Sequence, residues 1–339
     1  MDEIHLLWLR PSTGDNVSVR RERIAEKLRE RGYTIDIVDA SGLDAIGAIK
    51  RAIVGDYDII AGNVRIGLYL GYPLARLLRT KFLGDVSDPI DQISDLPTPL
   101  YRLLERYEWF VLKHADAAVF VYQSSFEEAE KRGINGVKLP NAVDYDLFDD
   151  PPDSSVRSAE QELISAGVDL EKPIGMYIGS LVDRHNVIEI ANAAQYAPDW
   201  EFVFIGDGAR RDAIDAKAEE YENVYSLGQY EYELIPGFLQ YARAGFCLVD
   251  AEQPLKLKEY GAAGVPIIAC RGELSEYYGT DELLYVEPNA RMIAGALDGL
   301  KKNDVYKDYI AAGQEISQRW DWNKIAKGYD TSCSTMMDT

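Results

Sequence analysis

The chain has 339 residues, 47% of them hydrophobic and 27% charged, a balance that suits two buried cores and excludes disordered and fibrous classes. Thirty-six basic side chains against 57 acidic ones leave a net charge of −21, which repels a phosphate backbone and sets nucleic acid aside as a partner. Uncharged runs, such as 66–75 and 260–270 at ten and eleven residues, are too short to cross a bilayer. From the amino end, residues 4–9 read as a strand, followed by a Pro/Ser/Thr/Gly loop at 11–16 and a helix over 17–31 that stops at Gly32. A strand at 34–38, a helix near 44–54, a strand at 58–61, an apolar helix at 66–78 and a strand at 81–84 follow. Leu100, Leu103, Leu104, Tyr107 and Val111 recur at helical spacing and lead into a strand at 117–122. Short β-branched runs alternating with amphipathic helices are the pattern of a parallel sheet, so residues 1–150 are expected to form one doubly wound domain.

Prolines, serines and charges at 151–173 read as a linker with one short helix. A second α/β unit is expected over 174–317, with strands at 174–178, 201–205, 224–227, 244–249 and 266–270. The tail 331–339 is small and polar and reads as frayed. Cys247, Cys270 and Cys333 are scattered and lack a Cys-x-x-Cys pair, which argues against a disulfide framework or a thiolate zinc site and suits a reducing cytoplasm. The Met1-Asp2-Glu3 opening carries no basic n-region before an apolar stretch, so no secretory signal is read. Acidity divides unevenly, at net −6 for residues 1–150 and net −15 for the rest, and fits either a high-salt surface or an acidic mesophile.

Ligands of open α/β sheets bind beyond the carboxyl ends of the strands. The loop Gly179-Ser180-Leu181-Val182-Asp183-Arg184-His185-Asn186 offers a glycine for close backbone approach, a hydroxyl and an Arg suited to a phosphate. Gly206-Asp207-Gly208 is a tight strand-to-helix turn, and 254–266 combines a helix start, Lys256 and Glu259 with a run of small residues. A glutamate there could accept both hydroxyls of a ribose. His5, His114 and His185 lie far apart, so a catalytic zinc is not expected. No P-loop, G-x-S-x-G or G-x-G-x-x-G stands at a strand end.

Taken together over about 90 residues, these elements resemble the nucleotide-sugar glycosyltransferases of the GT-B fold, especially the group that includes family 4, also called group 1. The likeness rests on Gly179 to Leu181 with Arg184, on Gly206 to Gly208, on Val224 to Gly228 and on the segment PLKLKEYGAAGVPI from Pro254 to Ile267. Asn141 to Phe148 is similar to the family's crossing between domains, and Trp320 to Tyr329 to a closing helix, about 318–330, that packs back on the first domain. The resemblance implies two Rossmann-like, doubly wound α/β domains facing across a cleft, an N-terminal acceptor domain and a C-terminal donor domain. It implies that Glu259 binds the donor ribose and that Arg184 and Lys256 face the diphosphate. Ser180 and the Gly179 backbone, with the Gly208 turn, would line the same seat, and backbone near Gln229 and Tyr230 would hold the base.

The family's E-x7-E ends here at Glu259 but has Ala251 at its first position, with Glu252 one place later as the candidate catalytic carboxylate. Gly84-Asp85-Val86-Ser87-Asp88-Pro89 resembles a D-x-x-D seen in a branch of these enzymes, so Asp85 and then Asp88 are candidate bases for an acceptor hydroxyl, with capping of the next segment as the alternative. Asp56-Tyr57-Asp58 and Asp144-Tyr145-Asp146 match the metal-binding D-x-D of the other transferase fold but read as surface turns, so neither a metal nor a cofactor is expected. The expected activity is transfer of a sugar from a nucleoside-diphosphate sugar, such as a UDP-sugar, to a hydroxyl of a glycan or lipid-linked acceptor. The alternative is a degenerate subunit that supports a partner transferase. The 66–81 stretch, apolar with basic residues at its edges, reads as a core helix or as a peripheral contact with the inner face of a membrane.

Overall fold

The computed structural model describes residues 3–11, 19–88, 93 and 96–338, so most of the loop expected at 11–16 and the Pro89 end of the Gly84–Pro89 motif lie outside the described residues. The chain divides into two compact units, Met1–Asn141 with Trp322–Thr339, and Ala142–Asp321.

In the first unit the elements run β1 (Ile4–Arg10), α1 (Val19–Arg29), β2 (Tyr33–Asp39), α2 (Asp44–Val54), β3 (Ile59–Asn63), α3 (Val64–Leu78), β4 (Lys81–Val86), α4 (Thr98–Lys113), β5 (Ala117–Phe120), α5 (Gln123–Lys131) and β6 (Val137–Lys138). The sheet order is β2-β1-β3-β4-β5-β6, all parallel. Every residue of β3 is buried, as expected of a central parallel strand covered by helices on both faces. The 66–81 stretch resolves into α3, whose Gly67, Leu68, Gly71, Leu74 and Ala75 are core, with Leu77 left exposed.

The second unit runs α6 (Tyr145–Asp149), α7 (Asp153–Ser165), β7 (Ile174–Ile178), α8 (Val187–Asn192), β8 (Glu201–Ile205), α9 (Arg211–Glu220), β9 (Val224–Gly228), α10 (Ile235–Leu239), β10 (Ala242–Cys247), α11 (Leu255–Ala262), β11 (Ile267–Cys270), α12 (Leu274–Tyr277), β12 (Leu284–Val286), α13 (Ala290–Gly299) and α14 (Asn303–Arg319). Its parallel sheet has the order β12-β11-β10-β7-β8-β9. The order reverses at β7, which makes the carboxyl ends of β7 and β10 the switch point where an α/β sheet receives ligands.

Two boundaries differ from the sequence reading. Residues 142–150 group with the second unit, and the expected linker carries α7, whose Ser155, Ala159 and Leu163 are buried on one face. Pro151 and Pro152, which suggested a linker, stand just outside the helix start, where proline is tolerated and the first turn lacks hydrogen-bond acceptors for its N–H groups anyway. The tail is likewise not frayed. It forms most of the final turns of α15 (Trp322–Met337), because Ile325, Ala326, Tyr329, Cys333 and Met336 continue one apolar face into the first unit.

Helix α15 is fixed to the first sheet by a buried polar network as well as by packing. Tyr329 donates its hydroxyl to Asp85 Oδ1 at 2.8 Å and accepts from Arg20 Nη2 at 3.1 Å. Arg20 also reaches the Leu139 and Pro140 carbonyls at 2.8 and 2.7 Å. Asn63 at the end of β3 donates to Asp85 Oδ2 at 2.9 Å and accepts from Arg21. Asp85 thus lies inside β4, paired with Asn63 on one side and Val119 on the other, whereas the sequence reading ended the strand at Gly84. Both of its oxygens are bound by neighbours in its own unit. Asp88 follows two residues past β4 and is half-buried.

Between α3 and α4, Glu108 is buried 3.7 Å from Arg65 Nε and 3.2 Å from the Tyr69 hydroxyl. Burial pushes its carboxyl up to about 7, against the lowering influence of Arg65. A carboxyl raised in the folded state stabilises the fold fully below its unfolded value and loses that contribution as pH rises through the folded one. Stability should therefore fall between pH 4.5 and about 7 by a component on the order of 2 kcal/mol that Glu108→Gln removes, as read from urea midpoints across that range. For the Asp85 network, Asp85→Asn and Tyr329→Phe should each lower the melting temperature, the former by the larger amount, since about 2 kcal/mol or more is at stake when a buried charged acceptor is lost. An Asp85→Asn protein that melts with wild type yet loses turnover would assign the carboxylate to catalysis instead.

Candidate functional site

In the second unit the loops after β7, β8 and β9 and the amino end of α11 meet at the switch point. Backbone hydrogen bonds lace the first two loops together: Gly179 N–H to Ile205 O at 2.9 Å, Leu181 N–H to Asp207 O at 2.8 Å and Arg210 N–H to Leu181 O at 2.8 Å. Gly206 (φ +146°) lies so close to Gly179 O that any Cβ would collide with it, and a Cβ on Gly208 (φ +151°) would lie 2.6 Å from Leu181 O. The G-D-G turn therefore sets the height of the Gly179–Ser180 turn. The Gly179 N–H, expected to line the seat, is already bound within the sheet edge.

Helix α11 delivers Lys256 and Glu259, three residues apart and so on one face. Both are buried. The Lys256 amine abuts Gly179, 3.2 Å from where a Cβ would stand, and donates to the Tyr177 hydroxyl at 3.0 Å. Burial lowers its pKa to about 8, assisted by the positive charge of Arg184. Burial raises Glu259 to about 7, while a hydrogen bond from the Tyr232 hydroxyl favours its ionised form. Arg184 is exposed on the turn.

His185 stands in the same loop as Arg184. Its Nδ1 lies 2.9 Å from Ser180 O and 2.7 Å from the Tyr177 hydroxyl, and burial beside Lys256 pulls its pKa down to about 4. The ring is neutral at physiological pH and supports the Ser180 turn as a hydrogen-bonding group. Tyr230 turns its side chain away, donating to Glu162 Oε2 at 2.8 Å and packing 4.8 Å from Phe238, which leaves its backbone and the exposed Gln229 at the site's rim. Glu252 is buried and accepts from Gln253 Nε2 at 3.3 Å, and Gln253 in turn accepts from Lys258 at 2.9 Å.

Tyr177, Tyr232, Gln253 and Lys258 were not singled out in the sequence. The legible signal was Tyr177: a tyrosine in a strand buried on both faces must find a partner for its hydroxyl. Among the described residues no group of three or more His, Cys, Asp or Glu side chains is placed to hold a metal ion.

Residues 172–303 match the family model for glycosyl transferases group 1. The curated relatives include TuaH of Bacillus subtilis (strain 168), named as a teichuronic acid biosynthesis glycosyltransferase, 24% identical over 219 residues that cover 58% of this chain and 53% of TuaH. The chain spans about half the length of the curated relatives it matches. Among solved structures, Anabaena HepE in complex with UDP and glucose superposes with a TM-score of 0.76 at 16% identity, over 98% of this chain and 100% of HepE. A glycosyltransferase from Rickettsia africae ESF-5 does so with a TM-score of 0.76 at 16% identity, over 99% of each chain. Residues 172–303 are thus similar to the group 1 glycosyl transferases, within a chain whose two Rossmann-like units have the GT-B fold of these solved structures.

Proposed function

We propose that this protein transfers a sugar from a nucleoside-diphosphate sugar to an acceptor hydroxyl, the bond from the sugar's anomeric carbon to the diphosphate breaking as a new one forms to the acceptor oxygen. The observation that carries this reading is the pair Lys256 and Glu259, buried on one face of α11, with the Lys256 amine against Gly179. An ammonium and an exposed guanidinium, Lys256 and Arg184, suit a diphosphate that gains charge as it leaves. Glu259 has the chemistry to accept from both ribose hydroxyls. The HepE structures with UDP and with UDP-glucose support a UDP-sugar donor, and TuaH supports a polysaccharide-type acceptor. Donor binding in this reading uses no metal or cofactor. A second reading, a donor-binding subunit without transfer, is favoured by Ala251 at the first position of E-x7-E.

The acceptor we propose is lipid-linked and met from the cytoplasmic side of a membrane. In the first unit α4 exposes Leu103 and Phe110 beside the exposed Arg102, Arg106 and Lys113, a basic and apolar face on an acidic protein. Free thiols at Cys247, Cys270 and Cys333 accord with a reducing compartment. No described helix is long and apolar enough to cross a membrane.

Calorimetric titration with UDP-glucose, with and without EDTA, tests the donor site. Glu259→Gln should weaken binding by roughly ten- to a hundredfold, the cost of about 1.5–3 kcal/mol for hydrogen bonds to a charged group, and EDTA should change nothing. Equal affinity in the variant would remove Glu259 from the site, and release of UDP only in the presence of an acceptor separates transfer from mere binding. For the acceptor side, the protein should sediment with vesicles rich in phosphatidylglycerol and not with phosphatidylcholine alone, less so at high salt and less so in the Arg106→Ala, Phe110→Ala double variant. Sedimentation unaffected by lipid charge would reject the membrane contact.

A further inference from the structure

Strand β7 is buried along its whole length, and its residues divide between the two faces of the sheet: Ile174, Met176 and Ile178 in one core, Tyr177 in the other, 6.0 Å from Phe204. A phenylalanine would serve that packing. The hydroxyl is the additional feature, and it stands where three polar groups converge: Ser180 O at 2.6 Å, His185 Nδ1 at 2.7 Å and Lys256 Nζ at 3.0 Å. Because a carbonyl only accepts, the Tyr177 proton goes to Ser180 O, and His185 Nδ1–H, 2.9 Å from the same carbonyl, donates there too. The hydroxyl's lone pairs then face Lys256.

We propose that Tyr177 is a positioning residue that holds the Lys256 ammonium against the Gly179–Ser180 turn, ready to grip the diphosphate of the donor. The inference rests on the nucleotide-sugar reading of the second unit. Lys256 crosses from α11 on a flexible stem whose ordering and burial both oppose this placement. Tyr177 offsets them twice, through its hydroxyl as acceptor and through its ring face, 4.1 Å from Nζ. The other titratable and charged groups acting on the amine are Cys247 from β10, Glu259 on α11, and Arg184 and His185 on the turn. Of these, Glu259 and Cys247 favour its charge, and Arg184 opposes it. With its pKa lowered to about 8, the free amine is mostly charged at neutral pH, and a bound diphosphate should hold that charge into the alkaline range.

The test is calorimetric titration of UDP and UMP into wild type, Tyr177→Phe, Lys256→Met and the double variant, at a series of pH values on both sides of 8, with melting curves to check folding. Wild-type affinity for UDP should begin to fall as pH rises past about 8, where binding starts to require proton uptake. Tyr177→Phe should weaken UDP about tenfold at neutral pH and move that break about one pH unit lower, since the ammonium loses a hydrogen-bond acceptor, with UMP affected less. Lys256→Met should remove the break, and adding Tyr177→Phe to it should cost nothing further. A Tyr177→Phe protein with wild-type affinity and an unmoved break, or an equal loss in both backgrounds, overturns the positioning role while leaving donor binding intact. A break that survives Lys256→Met overturns it without reference to Tyr177. If wild type binds neither UDP, GDP nor ADP, the nucleotide-sugar reading falls and this inference with it.

Discussion

An amine and a carboxylate buried three residues apart on one helix govern the geometry of the second unit. Lys256 and Glu259 would each prefer water, and each is met by a tyrosine hydroxyl supplied from another element, Tyr177 from β7 and Tyr232 from the turn after β9. Placing Lys256 at the Gly179 turn requires that turn to sit low over the sheet, which requires glycine at 206 and 208 to let the neighbouring loop close on it. Burial then draws the two pKa values toward each other, to about 8 and about 7, so that both groups respond to a charged ligand near neutral pH. Removing the two hydroxyls would take an acceptor from the buried ammonium and a donor from the buried carboxylate.

The first unit solves a different problem with the same chemistry. Two consecutive arginines on α1, Arg20 and Arg21, would be costly to bury; Arg20 is met by the Leu139 and Pro140 carbonyls and Tyr329, Arg21 by Asn63, and Asp85 in turn binds that tyrosine and asparagine. Because Tyr329 comes from α15, 244 residues after Asp85, this network closes the first unit by joining the chain's last helix to its third and fourth strands. The carboxylate that motif resemblance nominated for acceptor chemistry is thereby hydrogen-bonded through both oxygens within its own unit. Asp88, half-buried past the strand, has no such placement inside the sheet.

Much of the architecture was legible in the amino-acid sequence. Parallel strands buried on both faces are short and rich in apolar, β-branched or aromatic residues, and the runs read at 58–61, 174–178 and 201–205 fall on such strands. Glycines at 179, 206 and 208 and the Lys-x-x-Glu of α11 pointed to one end of the second sheet, where Lys256 meets Gly179, because such spacing is local and a helix fixes it. Helix α7 reads from sequence only as a short helix in a linker, because its buried face is just Ser155, Ala159 and Leu163, and the end of α15 reads as frayed because polar residues there mask an apolar face that runs past Tyr329.

What the sequence determined by itself, then, was the alternation of elements and the residues that helical and strand periodicity bring together within one segment. What only the tertiary structure decided was protonation and partnership: that His185 is neutral, that Tyr177 contacts the buried amine, and that both oxygens of Asp85 are engaged. These depend on groups 8 to 244 residues apart meeting in a dehydrated interior, as with Tyr177 and His185, Tyr177 and Lys256, and Asp85 and Tyr329. Periodicity reports which face a side chain presents, whereas pKa and hydrogen bonding depend on what lies across from it and on how much water has been removed.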